Sequence, residues 1–369
     1  MSNKAVIIVG AGHAGAELAH ALRKEGYEGR VVLVCDEPHF PYQKPPLSKD
    51  FLKGDGASPL LLKAEALYEK LGIELLRGRG VTGIDRAAQS VLLDDGTRLA
   101  YTHLALATGA RNRRPPVPGL DDPAVLELRG LDHCRAILSR TPDVGRVAVV
   151  GAGFIGLEIA AFLREKGKAV DVVELADRAM ARAVSEPVSA WFLALHRGMG
   201  TDVHLSTGVT AVAHVAGGVR VDLSDGRALD ADAVLLAAGV VPNVELAAAA
   251  GLETADGIVV DEMLLTSDPA ISALGDCASF PSAHGAGRVR LARLQIAGLS
   301  AGHDQAVLRG DPAADKFSVF LYRDGRLIAV ESVNAPADHL AARRLLEQGV
   351  PVPPDVAADP EASLKGLLA

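Results

Sequence analysis

Hydrophobic positions bunch along this chain in short runs that break at glycine. From Ala5 the run AVIIV enters GAGHAG, and beyond it, in AELAHALRKEG, apolar residues recur every three or four positions until Gly26. A β-branched run, a glycine turn and then helical spacing predict a buried strand, a tight loop and a helix. RVVLVCDEP follows as a second strand. The order returns in VAVVGAGFIGLEIAAFLREKG and KAVDVVELADR, with Gly167 stopping the helix as Gly26 did. The chain therefore predicts two complete βαβ modules and no shorter, solenoid-like period.

Between the modules, SVLLDDGTRLAYTHLALATGA predicts a hairpin turning at Asp95-Gly96, and the prolines of RNRRPPVPGL mark a crossing between domains. A similar layout, turning at Asp225-Gly226, follows the second module and leads to VVPNVE. From about Leu294 the pattern changes to short strands around Asp324-Gly325, the helix PADHLAARRLLEQG and PVPPDV. That tail predicts a small α+β domain without a nucleotide loop.

The 369 residues suffice for two or three cores. With 38 Lys and Arg against 46 Asp and Glu, the net charge of -8 argues against a general nucleic-acid or anionic-membrane binder. The apolar runs are too interrupted to span a membrane, and MSNKAVIIVG enters a strand without the pattern of a secretory leader, so the expected location is cytoplasmic. Cys35, Cys134 and Cys277 form no C-x-x-C pair, which disfavours a dithiol mechanism. His133-Cys134 lacks a second ligand pair and is expected on a helix surface with the thiol partly buried; no metal site is predicted.

In a dinucleotide loop the first glycine makes the turn, the second admits the pyrophosphate and the third lets helix and strand pack closely. Gly10, Gly12 and Gly15 fit these roles, with Asp36 at the end of the next strand to meet an adenosine ribose. Gly151, Gly153 and Gly156 repeat them, with Glu174 in the corresponding position. A carboxylate there favours NADH over NADPH, and Arg178 and Arg182 temper that preference. Two such sites in one chain suggest a resident flavin and a visiting nicotinamide.

In order, GAGHAG, YQKPPLSKDFL, LALATGARNR, GAGFIGLE, GVVPN and ALGDCA resemble the oxygenase-coupled NADH-dependent ferredoxin reductases, within the glutathione-reductase-type flavoproteins. The resemblance implies an α/β fold: an FAD domain (1–112 and 240–293) and an NADH domain (113–239), both Rossmann-like, plus a small α+β interface domain (294–369). It places Gly10, Gly12, His13, Ala14, Gly15, Asp36, Lys44, Lys49, Val81, Ala107, Thr108, Gly109, Arg129 and Asp276 at FAD. It places Gly151, Gly153, Phe154, Ile155, Gly156, Glu158, Glu174, Arg182 and Gly239 at NADH. Lys49 and Glu158 are implied to pair near the reactive edge of the flavin as the catalytic residues. Thr108-Gly109 and Gly239 to Asn243 resemble paired crossover turns between the domains.

The implied activity passes electrons from NADH through FAD to a [2Fe-2S] ferredoxin serving a cytochrome P450 or another oxygenase, in a monomer or homodimer. RNRR with Arg288, Arg290 and Arg293 is a candidate docking patch for an acidic ferredoxin. Two departures stand out. Lys44 replaces the usual arginine, losing a bidentate fork. After Leu291 a few tens of residues of the flavin-capping region are missing, which predicts local rearrangement at Leu291 to Leu294 and weaker FAD binding. Alternatives are an NADH oxidase or peroxidase, and a flavin-poor, non-catalytic dinucleotide-binding protein.

Overall fold

Ala5–Val9 and Arg30–Cys35 are strands with apolar side chains on both faces. Val6, Ile8, Val31, Leu33 and Ala105 enter one cluster, while Ile7, Val9, Val32, Val34 and Leu104 enter another. A sheet covered on both sides needs no polar alternation, which is why the sequence shows continuous apolar runs. The computed structural model describes residues 4–54, 58–281 and 297–368 and the backbone of 288–289.

Two compact units emerge. The first comprises residues 1–113, 127–142 and 239–292 within these limits. Its parallel sheet has the order Ile271–Ala273, His103–Leu106, Ala5–Val9, Arg30–Cys35, Ile73–Arg77. In the second unit, residues 114–126, 143–238 and 293–369, the order is Asp202–His204, Ala169–Val173, Arg146–Val150, Ala233–Leu236, Val125–Glu127. Asp171, buried in that sheet, accepts from Arg146 Nε at 2.9 Å and lies 3.0 Å from His204 Nε2.

The tail packs within the second unit. An antiparallel sheet, ordered Ala297–Gly298, Arg326–Val333, Lys316–Arg323, Gln305–Asp311, carries the helix Pro336–Glu347. Phe320, Tyr322 and Val330 meet Ala341, Ala342 and Leu345 of that helix in one cluster. Asp324 and Gly325 have φ of 49° and 73°, the left-handed pair a two-residue hairpin requires. Trp191 Nε1 donates to Asp315 Oδ1 at 2.8 Å and its ring meets Phe317 edge-on.

The sequence boundaries put Glu127–Pro142 with the second module, whereas its contacts put it in the first unit. Leu131 N–H donates to Tyr42 Oη at 2.8 Å, and Cys134 Sγ donates to Leu47 O at 3.1 Å. Cys134 is thus wholly buried rather than partly so, because its helix turns that face inward. The rearrangement expected at Leu291 to Leu294 lies outside the described residues, as do the side chains of Arg288, Arg290 and Arg293. No helix among the described residues is long and apolar enough to cross a membrane.

Burial holds His196 below the ordinary imidazole value of 6.5. Its folded state resists protonation while the unfolded chain accepts it, so stability from this group falls as pH drops through about 6.5 towards the lowered value. His196→Leu is expected to lose less unfolding free energy than the parent between about pH 7 and 5, as denaturant titrations at both pH values would read.

Candidate functional site

The two glycine loops have the same geometry. Gly10 and Gly151 take φ of +106° and +107°, and a Cβ on them would stand 2.2 Å from Ala107 O and 2.4 Å from Ala237 O. A Cβ on Gly15 or Gly156 would meet the carbonyl oxygen of Gly10 or Gly151 at 1.9 or 2.1 Å. These four glycines are therefore required by the fold itself. The middle pair differs: a Cβ on Gly12 or Gly153 meets nothing within 4 Å. Packing leaves those positions free, with room for a ligand to approach the backbone.

Each loop opens a helix, His13–Lys24 or Phe154–Glu165, whose first turn contains no acid and, among the described residues, no side-chain cap. The exposed amides and the positive end of each helix suit a pyrophosphate. The residues present fit a dinucleotide in both places.

In the first unit, Asp36 follows its strand and stands exposed, its Oδ1 accepting from Glu37 N–H at 3.0 Å. Gly275 packs so closely on Ala14 that an added Cβ would be 2.8 Å from the Ala14 methyl, which brings Asp276 to the loop. Arg129 Nε donates to Ala110 O at 2.6 Å and its other arm to Asp276 Oδ2 at 3.1 Å. Two residues 147 positions apart thus meet beside the first helix. Val81 opens the strand Val81–Asp85, and Ala107 donates its N–H to Val9 O at 2.8 Å.

The crossover turns interlock. Thr108 Oγ1 donates to Asn243 O and Asn243 Nδ2 to Thr108 O, both at 2.8 Å, and Asn243 N–H reaches Gly109 O at 2.9 Å. Gly239 O accepts from Arg113 N–H at 2.9 Å in the same crossover, so this NADH-assigned residue belongs to the first unit.

Lys44 pairs with Glu37 Oε1 at 2.8 Å, and Tyr42 Oη donates to Glu37 Oε2. Burial, then the Glu37 bond, pushes the Tyr42 phenol far above its ordinary value. Glu37 was not among the expected site residues; its position beside Asp36 and seven residues before Lys44 was the available signal. Lys49 stands exposed between the turn Pro45–Ser48 and the helix Asp50–Lys53. Glu158 is the fifth residue of its helix, half-buried and past the first turn.

In the second unit, Glu174 uses both oxygens: Ala152 N–H donates at 2.7 Å and Ala176 N–H at 2.9 Å. This carboxylate is therefore fastened to the glycine loop. Arg178 differs from expectation, because its guanidinium donates to Val184 O at 2.8 Å and Ala181 O at 2.7 Å and shapes the local turn. Arg182 stands exposed in that turn, and Phe154 and Ile155 form the first turn of the helix. Glu174→Ala is expected to raise KM for NADH by about tenfold or more and to shrink the preference over NADPH, checked by initial rates with each coenzyme. Of RNRR, Arg111 is engaged by Glu245 at 2.7 Å, which reduces its availability to a partner.

Comparison with known proteins agrees along the whole chain. The family described as pyridine nucleotide-disulphide oxidoreductase matches residues 4–298, and the reductase C-terminal family matches residues 291–368. Rhodocoxin reductase of Rhodococcus erythropolis is 42% identical over 402 residues, covering 99% of this chain and 94% of the relative. The ferredoxin reductase of the CYP199A2 system of Rhodopseudomonas palustris superposes with a TM-score of 0.96 at 44% identity, covering 100% of both chains. The reductase of the covalent putidaredoxin reductase–putidaredoxin complex gives 0.94 at 35%, covering 100% and 99%. Of the 402 aligned positions at most 369 hold a residue of this chain, so at least about thirty positions of rhodocoxin reductase have no counterpart here. With two matched dinucleotide loops and agreement from end to end, the chain belongs to the pyridine nucleotide-disulphide oxidoreductase family, in the group that ends in a reductase C-terminal domain.

Proposed function

We propose that this chain is an NADH-dependent ferredoxin reductase that holds FAD in its first unit, takes NADH as substrate in its second, and reduces a [2Fe-2S] ferredoxin. The observation that carries it is the paired free space at Gly12 and Gly153, each backed by a helix N-terminus with a carboxylate, Asp36 or Glu174, just past the next strand. Bound FAD would supply the conversion of a two-electron hydride into single electrons. Gly12, Ala14 and the first-helix amides would hold the pyrophosphate and Asp36 the ribose. Arg129, Asp276, Lys44 and Val81 complete that set. Glu174 orients the second loop for NADH, and Lys49 and Glu158 carry the catalytic roles implied by the family. The ferredoxin would serve a cytochrome P450 or another oxygenase in the cytoplasm.

The test is a stopped-flow experiment. NADH should bleach the flavin absorbance at about 450 nm, and added [2Fe-2S] ferredoxin should restore it. Flavin that is reduced but not reoxidised by ferredoxins sinks this reading. Colourless protein that takes up no FAD favours the dinucleotide-binding alternative, for which the shortened chain is the supporting observation. A peroxidase is disfavoured because all three cysteines are buried, and burial, as the leading cause, pushes the Cys35 thiol up to about 11.

A further inference from the structure

The coenzyme loop of the second unit is braced by a carboxylate from the C-terminal domain. Glu331, on the strand Arg326–Val333, is 3% exposed and accepts from Ser185 N–H at 3.0 and 2.9 Å and from Ser185 Oγ at 2.7 Å. Ser185 is itself 1% exposed and precedes the helix Glu186–Gly198. Its hydroxyl, which would ordinarily cap its own helix, is turned to Glu331, so the helix start is held by a carboxylate from 146 residues away.

From Ser185 the bracing runs back to the glycine loop without a gap. Arg178 clasps Val184 O and Ala181 O, while Ala183 N–H and Val184 N–H donate to Met180 O at 2.8 and 3.2 Å. Ser189 Oγ, one turn into the helix, donates to Ala179 O at 2.6 Å. Met180 sits at φ +51°, a left-handed conformation that a methionine keeps only when its surroundings hold it. In that conformation its N–H donates to Ala152 O at 2.9 Å, and Ala152 N–H in turn donates to Glu174 at 2.7 Å. Releasing Ser185 would let the turn relax and take the Met180 N–H donor away from the carbonyl of Ala152, between Gly151 and Gly153.

We propose that Glu331 is a positioning residue for NADH, acting through Ser185 and the 179–184 turn on the glycine loop at Ala152. The inference rests on the reading that this loop holds the coenzyme. It makes the C-terminal domain a participant in coenzyme binding, and a side chain that touches no substrate a determinant of KM. Keeping a carboxylate buried here has a cost. Burial raises its proton affinity, against the bonds from Ser185 and the charges of His303 and Arg178. A merely space-filling role would be met by an apolar side chain.

The experiment measures ADP-ribose binding to the full-length protein by calorimetry, together with NADH-dependent ferricyanide reduction. Glu331→Ala should raise the ADP-ribose Kd and the KM for NADH by about 10- to 50-fold, with kcat changed less than about twofold. Glu331→Gln, which keeps an acceptor for Ser185 N–H, should recover most of the affinity. Ser185→Ala, which removes only the hydroxyl bond, should give a rise of about three- to tenfold and keeps the test decisive if Glu331→Ala does not fold. Unchanged Kd and KM in a folded Glu331→Ala, or in Ser185→Ala, overturns the proposal, as does an equal fall in kcat and affinity. A parent protein that binds neither ADP-ribose nor NADH overturns the coenzyme reading itself and this inference with it.

Discussion

Gly12→Val should give a folded protein that is purified without its yellow colour, and Gly153→Val a yellow protein that NADH no longer bleaches. The reason lies in what surrounds each position. A Cβ at Gly12 or Gly153 meets no protein atom within 4 Å, and neither glycine needs left-handed backbone, since their φ values are -68° and -80°. Extra atoms there leave the fold intact and fill the space in front of the helix amides. Losing two bonds to a charged phosphate costs about 1.5–3 kcal/mol each, so affinity for the affected dinucleotide should drop by about 10²-fold or more. Gly10→Val is the contrast, because its Cβ would stand 2.2 Å from Ala107 O and the sheet connection must give way. Flavin content, thermal unfolding and stopped-flow reduction by NADH distinguish the three. A Gly12→Val protein with normal flavin content would remove this loop from the FAD site.

Arg309→Leu is expected to lower the stability of the C-terminal domain by about 3–5 kcal/mol. Arg309 is 6% exposed and its guanidinium donates to Asp359 O, to Pro360 O at 3.1 Å and to Ala362 O at 2.9 Å, with Asp338 Oδ2 at 3.4 Å from its Nε. One side chain thus ties the last turn to the sheet and lets Leu364 reach the cluster around Tyr322 and Leu345. Leucine satisfies none of the carbonyls and leaves Asp338 without this cation. Hydrogen exchange should show amides beyond Asp359 losing protection first, while flavin spectra stay unchanged. Equal protection in variant and parent would count against the clasp.

The geometry of both glycine loops was readable in the chain because its rules are local. The glycines of both loops are dictated by φ and by contacts with the strand beside them, and Asp36 and Glu174 follow from the fixed length of a βαβ module. Asp324-Gly325 turned where its left-handed preference required. The contacts divide the chain between Arg113 and Arg114, whereas the expected boundary lay between residues 112 and 113. The failures are of another kind. Arg178 was expected to be available to a phosphate, and only the folded turn shows it spent on two carbonyls. Glu127–Pro142 was assigned by its place in sequence, whereas Tyr42 and Leu47 draw it to the first unit.

The sequence by itself determined the two glycine-loop modules, the order of their strands and helices, and the carboxylates that follow each second strand. Each depends on residues close together in the chain, whose backbone preferences act before the rest has folded. Tertiary structure alone decided which distant polar groups meet: part-buried Arg129 with Asp276, and buried Glu331 with Ser185. Those partners lie about 150 residues apart. No periodicity joins them, and for buried Glu331 the cost of leaving a carboxylate without donors selects its partner.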